Sequence, residues 1–557
     1  MKVALLQCNS VSGDVVGNLE RVLLAARRAA RAGADLCVTP ELALCGVTPG
    51  EYLCAPDFAP GCRAALDHLA KALADGPPLL VGVPVPSVYA TGMLSNAAAL
   101  VRNGSWQVAS RKVYQGLGRN PGHEGDLYHF DRGISCGIIS LCGWRLGVVL
   151  CEGASGGGSS FWKTPYASGH NPLMEMIQRG VDAVVHMTAT PFRLGIQSEM
   201  EHLLSHVAAR HHIHLFSVNM VGGTDVHVYN GQSTAFDPTG RLLARARAFE
   251  EDLLLVGCAS DSKEKASNRI EAQCACPEEA CWRALVLGVH DFVAKCGAEQ
   301  VLLGLSGGMD SALVCCIAAA ALGPERVSAV LMPSPYTSEA SLEDARRLAD
   351  NLGVTTICLP IEPLMQSFAQ SLAPGLEQFA PWEGESTFEN VQSRIRGTLL
   401  TCLANRARAL VLNAGNKSEA GMGYCTLYGD SVGALSVIGD LSKSEVFALG
   451  RWYNQWRGEE VIPQRVLEKE PSAELAPNQK DSDTLPPYDV LDPLLAQCLR
   501  PRPGYMLDAV GSDVRRRLFA AEFKRRQLPP ALVISDMPFG QGWRIPLNGR
   551  YRLPDFS

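Results

Sequence analysis

The stretch Val301-Leu302-Leu303-Gly304-Leu305-Ser306-Gly307-Gly308-Met309-Asp310-Ser311 runs directly into Ala312-Leu313-Val314-Cys315-Cys316-Ile317 and on to Leu322. It reads as a short buried strand, a glycine turn and an apolar helix. Free N–H groups and the positive end of the helix dipole converge on whatever occupies such a turn, so it is an anion site. Gly307 and Gly308 let the backbone approach phosphate oxygens, Ser306 and Ser311 offer hydroxyls, and Asp310 can hold a magnesium ion. No Gly-Lys-Ser/Thr follows, which excludes the Walker loop, and the GxGxxG of a dinucleotide fingerprint is absent.

Working outward, Val301–Leu305 is followed by apolar strands at Val327–Met332, Thr355–Leu359 and Ala409–Asn413, each separated by a helix-length segment. That alternation predicts a doubly wound parallel sheet. The first half alternates strands Val3–Gln7, Leu36–Thr39, Leu79–Gly82, Leu146–Leu150 and Ala183–His186 with helical stretches such as Leu19–Arg31. Strand signals then crowd Ser217–Met220 and Gly231–Phe236 before the turn Asp237-Pro238-Thr239-Gly240, giving an α/β sandwich pattern. Between the halves, 261–280 is polar without an apolar period and reads as a linker, so the expected domains are 1–260 and 281–557.

Two large domains suit 557 residues, and 47% apolar with 19% charged residues is a globular composition. A net charge of -7 without a basic stripe points away from nucleic acid and towards small substrates. The opening Met1-Lys2-Val3-Ala4-Leu5-Leu6-Gln7 resembles a first strand more than a signal peptide. The longest apolar run, Ala312–Leu322, is short of the roughly 18 residues a membrane span needs. A cytoplasmic protein with no membrane association is expected, its 19 cysteines reduced rather than bridged.

Three residues of the first half stand at strand ends: Glu41 after Leu36–Thr39, Lys112 in Ser110-Arg111-Lys112, and Cys151 after Leu146–Leu150. A thiol of ordinary pKa is mostly protonated at neutral pH, so a nucleophilic cysteine needs a base and a positive neighbour. Glu41 can take the proton, and Lys112 can stabilise the thiolate and an oxyanion.

The order Glu41, Lys112, Cys151 resembles the nitrilase superfamily of carbon-nitrogen hydrolases, with support from Thr190-Pro191-Phe192 and Val218-Asn219-Met220-Val221-Gly222-Gly223. The resemblance implies an α-β-β-α sandwich and a second glutamate, for which Glu124 is the candidate and Asp126 the fallback. The glycine turn resembles the pyrophosphate-loop ATPases. Several further blocks resemble NAD synthetases: Met332-Pro333-Ser334-Pro335-Tyr336-Thr337-Ser338, Glu389-Asn390-Val391-Gln392-Ser393-Arg394-Ile395-Arg396-Gly397, Gly415-Asn416-Lys417-Ser418-Glu419, Tyr428-Gly429-Asp430, Pro471-Ser472-Ala473-Glu474-Leu475 and Asp481 to Tyr488. Both halves in this order resemble the glutamine-dependent NAD synthetase family.

That resemblance implies that glutamine hydrolysis supplies ammonia, through an internal channel, to amidate AMP-activated deamido-NAD. It implies ATP as co-substrate, contacted by Ser306, Gly307, Gly308, Asp310, Ser311, Met332, Lys443 and Ser472. Mg2+ would sit on Asp310 and Glu419, and deamido-NAD on Asn390, Arg394, Arg396 and Asp430; the planar forks of the arginines suit phosphate. A homo-oligomer, at least a dimer through the synthetase domains, is also implied. Departures are Ala414 where the family usually has Thr, Gly153 in place of Asp, and a Gly- and Ser-rich insertion from Ala154 to about Gly169. Two alternatives stay open: a pyrophosphate-loop amidotransferase for another carboxylate, and a glutaminase-impaired scaffold. His202 and His206 sit four apart but without a carboxylate in the zincin position, Cys274, Cys276 and Cys281 lack the paired CxxC pattern, and Cys315 and Cys316 read as core.

Overall fold

The computed structural model describes residues 1–113, 129–131, 133–150, 172–258, 268–381, 386–502, 504 and 506–549. The chain divides into two compact units, Met1–Ala280 and Cys281–Ser557. Cys151, Glu124 and Asp126, together with the insertion 154–169, lie outside the described residues.

In the first unit, β1 (Lys2–Gln7), α1 (Val15–Arg31), β2 (Leu36–Val38), α2 (Phe58–Ala72), β3 (Leu79–Pro86), β4 (Leu94–Arg102) and β5 (Ser105–Arg111) build one half. The other half comprises β6 (Gly137–Leu141), β7 (Trp144–Leu150), α3 (Pro172–Gln178), β8 (Ala183–Thr188), α4 (Ile196–His211), β9 (His214–Asn219), β10 (Val221–Thr224), β11 (His227–Asn230), β12 (Thr234–Phe236) and β13 (Leu242–Arg245). β14 (Asp252–Gly257) then returns to pair with β1. Two six-stranded sheets result, ordered β14-β1-β2-β3-β4-β5 and β13-β12-β9-β8-β7-β6.

Strand alternation explains the layering. In β1, Val3 and Leu5 join a core shared with Val148, Leu150, Val185 and Phe216 of the second sheet. Ala4 and Leu6 face the other way, into a core with Val22 and Ala26 of α1 and Leu66 and Leu69 of α2. The unit is therefore an α-β-β-α sandwich. The parallel strands are legible in the sequence, but Ala-rich β4 and polar β5 lack a run of β-branched residues and form by pairing, β4 with β3 and β5 with β4.

From the polar stretch 261–280, Glu271 N donates to Arg245 O at 3.1 Å, Arg245 N donates to Arg269 O at 3.0 Å, and Arg269 pairs with Asp252. α5 (Pro277–Lys295) begins within it. Charged side chains hid both features, because edge pairing needs only backbone groups and a helix start favours Glu278 and Glu279 near its positive end.

The second unit continues with β15 (Val301–Gly304), α6 (Met309–Leu322), β16 (Val327–Leu331), α7 (Glu339–Leu352), β17 (Thr355–Cys358), α8 (Glu362–Leu376), α9 (Thr387–Ala407) and β18 (Leu410–Asn413). α10 (Lys417–Met422), β19 (Leu435–Ser436), α11 (Lys443–Arg457) and α12 (Gln464–Glu468) follow, then α13 (Tyr488–Leu499), α14 (Ala509–Ala520) and α15 (Glu522–Arg525). All strand pairs are parallel, in the order β17-β16-β15-β18-β19. The order reverses between β15 and β18, and ligands of such sheets bind outside the carboxyl ends of the strands at that reversal. Cys315 and Cys316 of α6 are fully buried. Among the described residues no helix is long and apolar enough to cross a membrane.

Candidate active sites

The first unit holds a buried ion pair. Lys112 Nζ lies 2.8 Å from Glu41 Oε1, and Asn96 Nδ2 donates to the same oxygen at 2.6 Å. Glu41 and Lys112 are each 1% exposed. Glu41 sits on a tight turn after β2 that lies against the backbone of β3. A Cβ at Gly82 would come within 2.3 Å of Leu42 N, so only glycine permits that approach. Lys112 follows β5 directly, and its carbonyl accepts from Gly133 N at 2.9 Å.

Glu41 Oε2 is buried without a hydrogen bond among the described residues, which leaves an acceptor ready to take a proton. The chain leading to Cys151 is tied to the same place, since Ser110 Oγ, two residues before Lys112, donates to Val148 O at 2.8 Å. Asn96 was missed in the sequence because its strand was.

The second unit builds a different centre at the β15/β18 reversal. Gly307 has φ +83°, and a Cβ there would lie 2.2 Å from Ser341 O, so the turn depends on glycine at that position. Ser306 and Ser311 hydroxyls are 3.0 Å apart, and Gly308 N donates to Ser306 Oγ at 3.2 Å, which folds the turn back over the start of α6. Asp310, in the first turn of α6, pairs with Lys443 Nζ and accepts from Asn416 Nδ2 at 3.1 Å. Glu419 Oε1 lies 3.4 Å from the same ammonium.

Glu419 and Lys443 stand at the starts of α10 and α11, both closed by capping boxes, Asn416 with Glu419 and Ser442 with Glu445. Asp492 of α13 fixes the two helices together: it accepts from Ser418 Oγ at 2.5 Å and from Ser444 N at 2.8 Å. Ser418 Oγ in turn accepts from Lys443 N at 3.0 Å. Burial raises the proton affinity of Glu419, with Asp310 adding to the rise and Lys443 opposing it. Burial disfavours the Lys443 ammonium, yet Asp310 and Glu419 outweigh it and hold its pKa above that of ordinary lysine.

Asp481 is a third carboxylate here. It is 5% exposed, accepts from Tyr488 OH at 2.8 Å, and is raised in pKa by burial while Lys443 and Asp310 act on it in opposite senses. Tyr488 places its ring centroid 5.5 Å from Lys443 Nζ. Nothing local in the sequence assigns either residue a role, since only folding brings them to Lys443.

The remaining residues form the surroundings. Arg396 Nε donates to Met332 O at 3.1 Å, and burial lowers its pKa to about 10 against the pull of Glu474 and Asp430. Exposed Arg394 donates to Leu427 O at 3.2 Å. Asn390 Oδ1 accepts from Thr426 Oγ1 at 2.7 Å, and Thr426 N donates to Asp430 Oδ1 at 2.6 Å, so Asn390 of α9 and Asp430 meet at Thr426. Lys524, absent from the sequence reading, donates to Gly423 O and Cys425 O at 2.8 and 2.7 Å beside that turn. Ser472 is not brought to the cluster: its hydroxyl donates to Gln479 O and accepts from Glu474 N, both within its own loop. That loop is anchored on α7, where Glu474 Oε1 accepts from Ser341 Oγ at 2.8 Å.

Fold and sites together define a carbon-nitrogen hydrolase joined to an NAD synthase. The family described as carbon-nitrogen hydrolase matches residues 2–155 and 168–266, and the family described as NAD synthase matches 281–527. The break at 155–168 falls in the Gly- and Ser-rich insertion. A glutamine-dependent NAD(+) synthetase of Synechocystis is 40% identical over 98% of both chains, and one of Thermotoga maritima is 35% identical over 100% of this chain and 99% of its own. A solved glutamine-dependent NAD+ synthetase of Acinetobacter baumannii, in complex with ADP, superposes with a TM-score of 0.76 at 30% identity, covering 98% of each chain. Another from Cytophaga hutchinsonii shares the fold, with a TM-score of 0.80 at 18% identity over 98% of this chain and 97% of its own. The chain belongs to the glutamine-dependent NAD(+) synthetase family and is an enzyme, a carbon–nitrogen ligase.

Proposed function

We propose that this chain hydrolyses glutamine in its first domain, 1–260, and uses the ammonia in its second, 281–557, to amidate deamido-NAD with ATP, 261–280 joining the two. The carrying observation is the contrast of two charge clusters: a closed, neutral Glu41–Lys112 pair, and an electron-rich group in which Asp310, Glu419 and Asp481 gather around the ammonium of Lys443.

In the first, Glu41 takes the thiol proton of Cys151, whose sulfur attacks the glutamine amide carbon. Lys112 stabilises the oxyanion, and Glu41 returns the proton to the departing ammonia. Water then cleaves the thioester to give glutamate, with Glu124 as the supporting carboxylate.

In the second, the N–H groups at Ser306–Ser311 and the ammonium of Lys443 hold the ATP phosphates and Met332 borders the adenine, while the hydroxyl of Ser472 stays bound within its own loop. Arg394, Arg396, Asn390 and Asp430 hold deamido-NAD. The nicotinate carboxylate attacks the α-phosphate and pyrophosphate leaves; ammonia then attacks the acyl carbon and AMP leaves. Asp310 and Glu419 fit Mg2+, since they supply oxygen donors and too little positive charge surrounds them; bound Mg2+ would neutralise the leaving pyrophosphate. We further propose a homo-oligomer assembled through the synthetase domains. The test is product analysis of purified protein with deamido-NAD, ATP and glutamine. NAD, AMP, pyrophosphate and glutamate in equal amounts support the reading, and an inert mixture overturns it.

A further inference from the structure

Between Glu41 and α2, Gly50–Cys54 forms a 3-10 turn. Side chains at i and i+3 eclipse in such a helix, so Glu51 and Cys54 project from one side. Cys54 Sγ is 3.5 Å from Glu51 Oε2. His129 meets them from a remote part of the chain, its Nδ1 3.6 Å from Cys54 Sγ and its Nε2 3.8 Å from Glu51 Oε1. One ligand atom from each residue lies within 4.8 Å of the other two.

The chain next to His129 is held in place. Phe130 bridges to Leu94, Asp131 N donates to Leu94 O at 2.6 Å, and Asp131 accepts from Ser87 Oγ at 2.5 Å. The His129 side chain is 14% exposed, whereas that of Glu51 is 90% exposed and free to adjust. In a tetrahedral zinc site, Zn–S near 2.3 Å and Zn–N or Zn–O near 2.0 Å put neighbouring ligand atoms about 3.5 Å apart. The thiol–carboxylate and thiol–imidazole separations match that spacing. A thiolate, an imidazole and a carboxylate select zinc-class ions over Mg2+ or Ca2+, which prefer all-oxygen ligands.

We propose that Glu51, Cys54 and His129, none of them assigned to either reaction centre, bind a Zn2+-class ion, with water as the fourth ligand. The ion would displace the thiol proton that Glu51 now accepts in a hydrogen bond. It would fasten the 3-10 turn to the segment that leads into β6, a structural role in the glutaminase unit.

The test uses the full chain, stripped of metal, in excess Mg2+ to occupy oxygen-rich sites. Zn2+ is titrated in competition with a chromophoric chelator, and Co2+ is followed by absorption. Wild type is expected to bind about one Zn2+ per chain, weakened at least about tenfold by Cys54→Ser and by His129→Ala and unchanged by Cys142→Ser, which alters another exposed thiol. The Co2+ adduct is expected to show a thiolate charge-transfer band that Cys54→Ser abolishes. Failure of wild type to compete for Zn2+, equal affinity in all variants, or a band that survives Cys54→Ser overturns the proposal.

Discussion

The Glu41–Lys112 pair and the Asp310–Lys443–Glu419 cluster use the same two chemical groups to opposite ends. In the first, one carboxylate meets one ammonium, both almost wholly buried, and the charge balances. In the second, carboxylates outnumber the ammonium, and the Asp310 and Glu419 side chains keep 17% and 20% of their surface. A sealed neutral pair suits proton transfer to and from a neighbouring thiol, because its charge state changes only with that proton. An open, negatively charged group suits a cation and polyphosphate that arrive from solvent and must leave again.

Cys151→Ala should draw that contrast most sharply. Glutamine-dependent synthesis and glutamate release are expected to fall by about 10^4-fold or more, since a covalent route is removed rather than a contact weakened. Synthesis from ammonium chloride should persist and increase with pH as the unprotonated nucleophile grows. Loss with both nitrogen donors would mean that the two centres are not separable. Asp310→Asn should do what Cys151→Ala does not: lower synthesis from either donor by about a thousandfold, on the order of 4 kcal/mol of barrier, in a protein with unchanged circular dichroism. Near-normal synthesis would remove the glycine turn from the chemistry.

Glu41→Gln is expected to lower only glutamine use, by about 10^2- to 10^4-fold, the usual worth of a general base. It should also destabilise the first unit by on the order of 3 kcal/mol, read as a lower denaturation midpoint, since it breaks a buried ion pair from one side. The smallest effect belongs to Asp492→Asn. Its carboxylate joins α10 and α11 by accepting from Ser418 Oγ and Ser444 N, so a loss of about 10- to 100-fold with both donors is expected, with a raised Mg2+ requirement. A change in glutamine use alone would break the comparison, because Asp492 acts through Glu419 and Lys443.

The sequence alone determined the α/β class of both halves, since strand, glycine turn and helix are adjacent in the chain and their order is a local signal. It also singled out Glu41, Lys112, Asp310, Glu419 and Lys443, and folding brings Glu41 to Lys112 and both Asp310 and Glu419 to Lys443. Tertiary structure alone decided what surrounds those charges. Asn96 reaches Glu41 from an Ala-rich strand that only pairing with β3 defines, and Asp481, Tyr488 and Asp492 reach Lys443 and Ser418 across gaps of 38 to 74 residues. The ring of His129 meets Cys54 across 75 residues of chain. The serine of Pro471-Ser472-Ala473 was legible as a motif, but the direction of its hydroxyl, into its own loop, was not. The physical reason is common to all of these: backbone propensity and hydrophobic period are short-range, whereas hydrogen bonding and charge pairing depend on which distant segments the fold brings within about 3 Å.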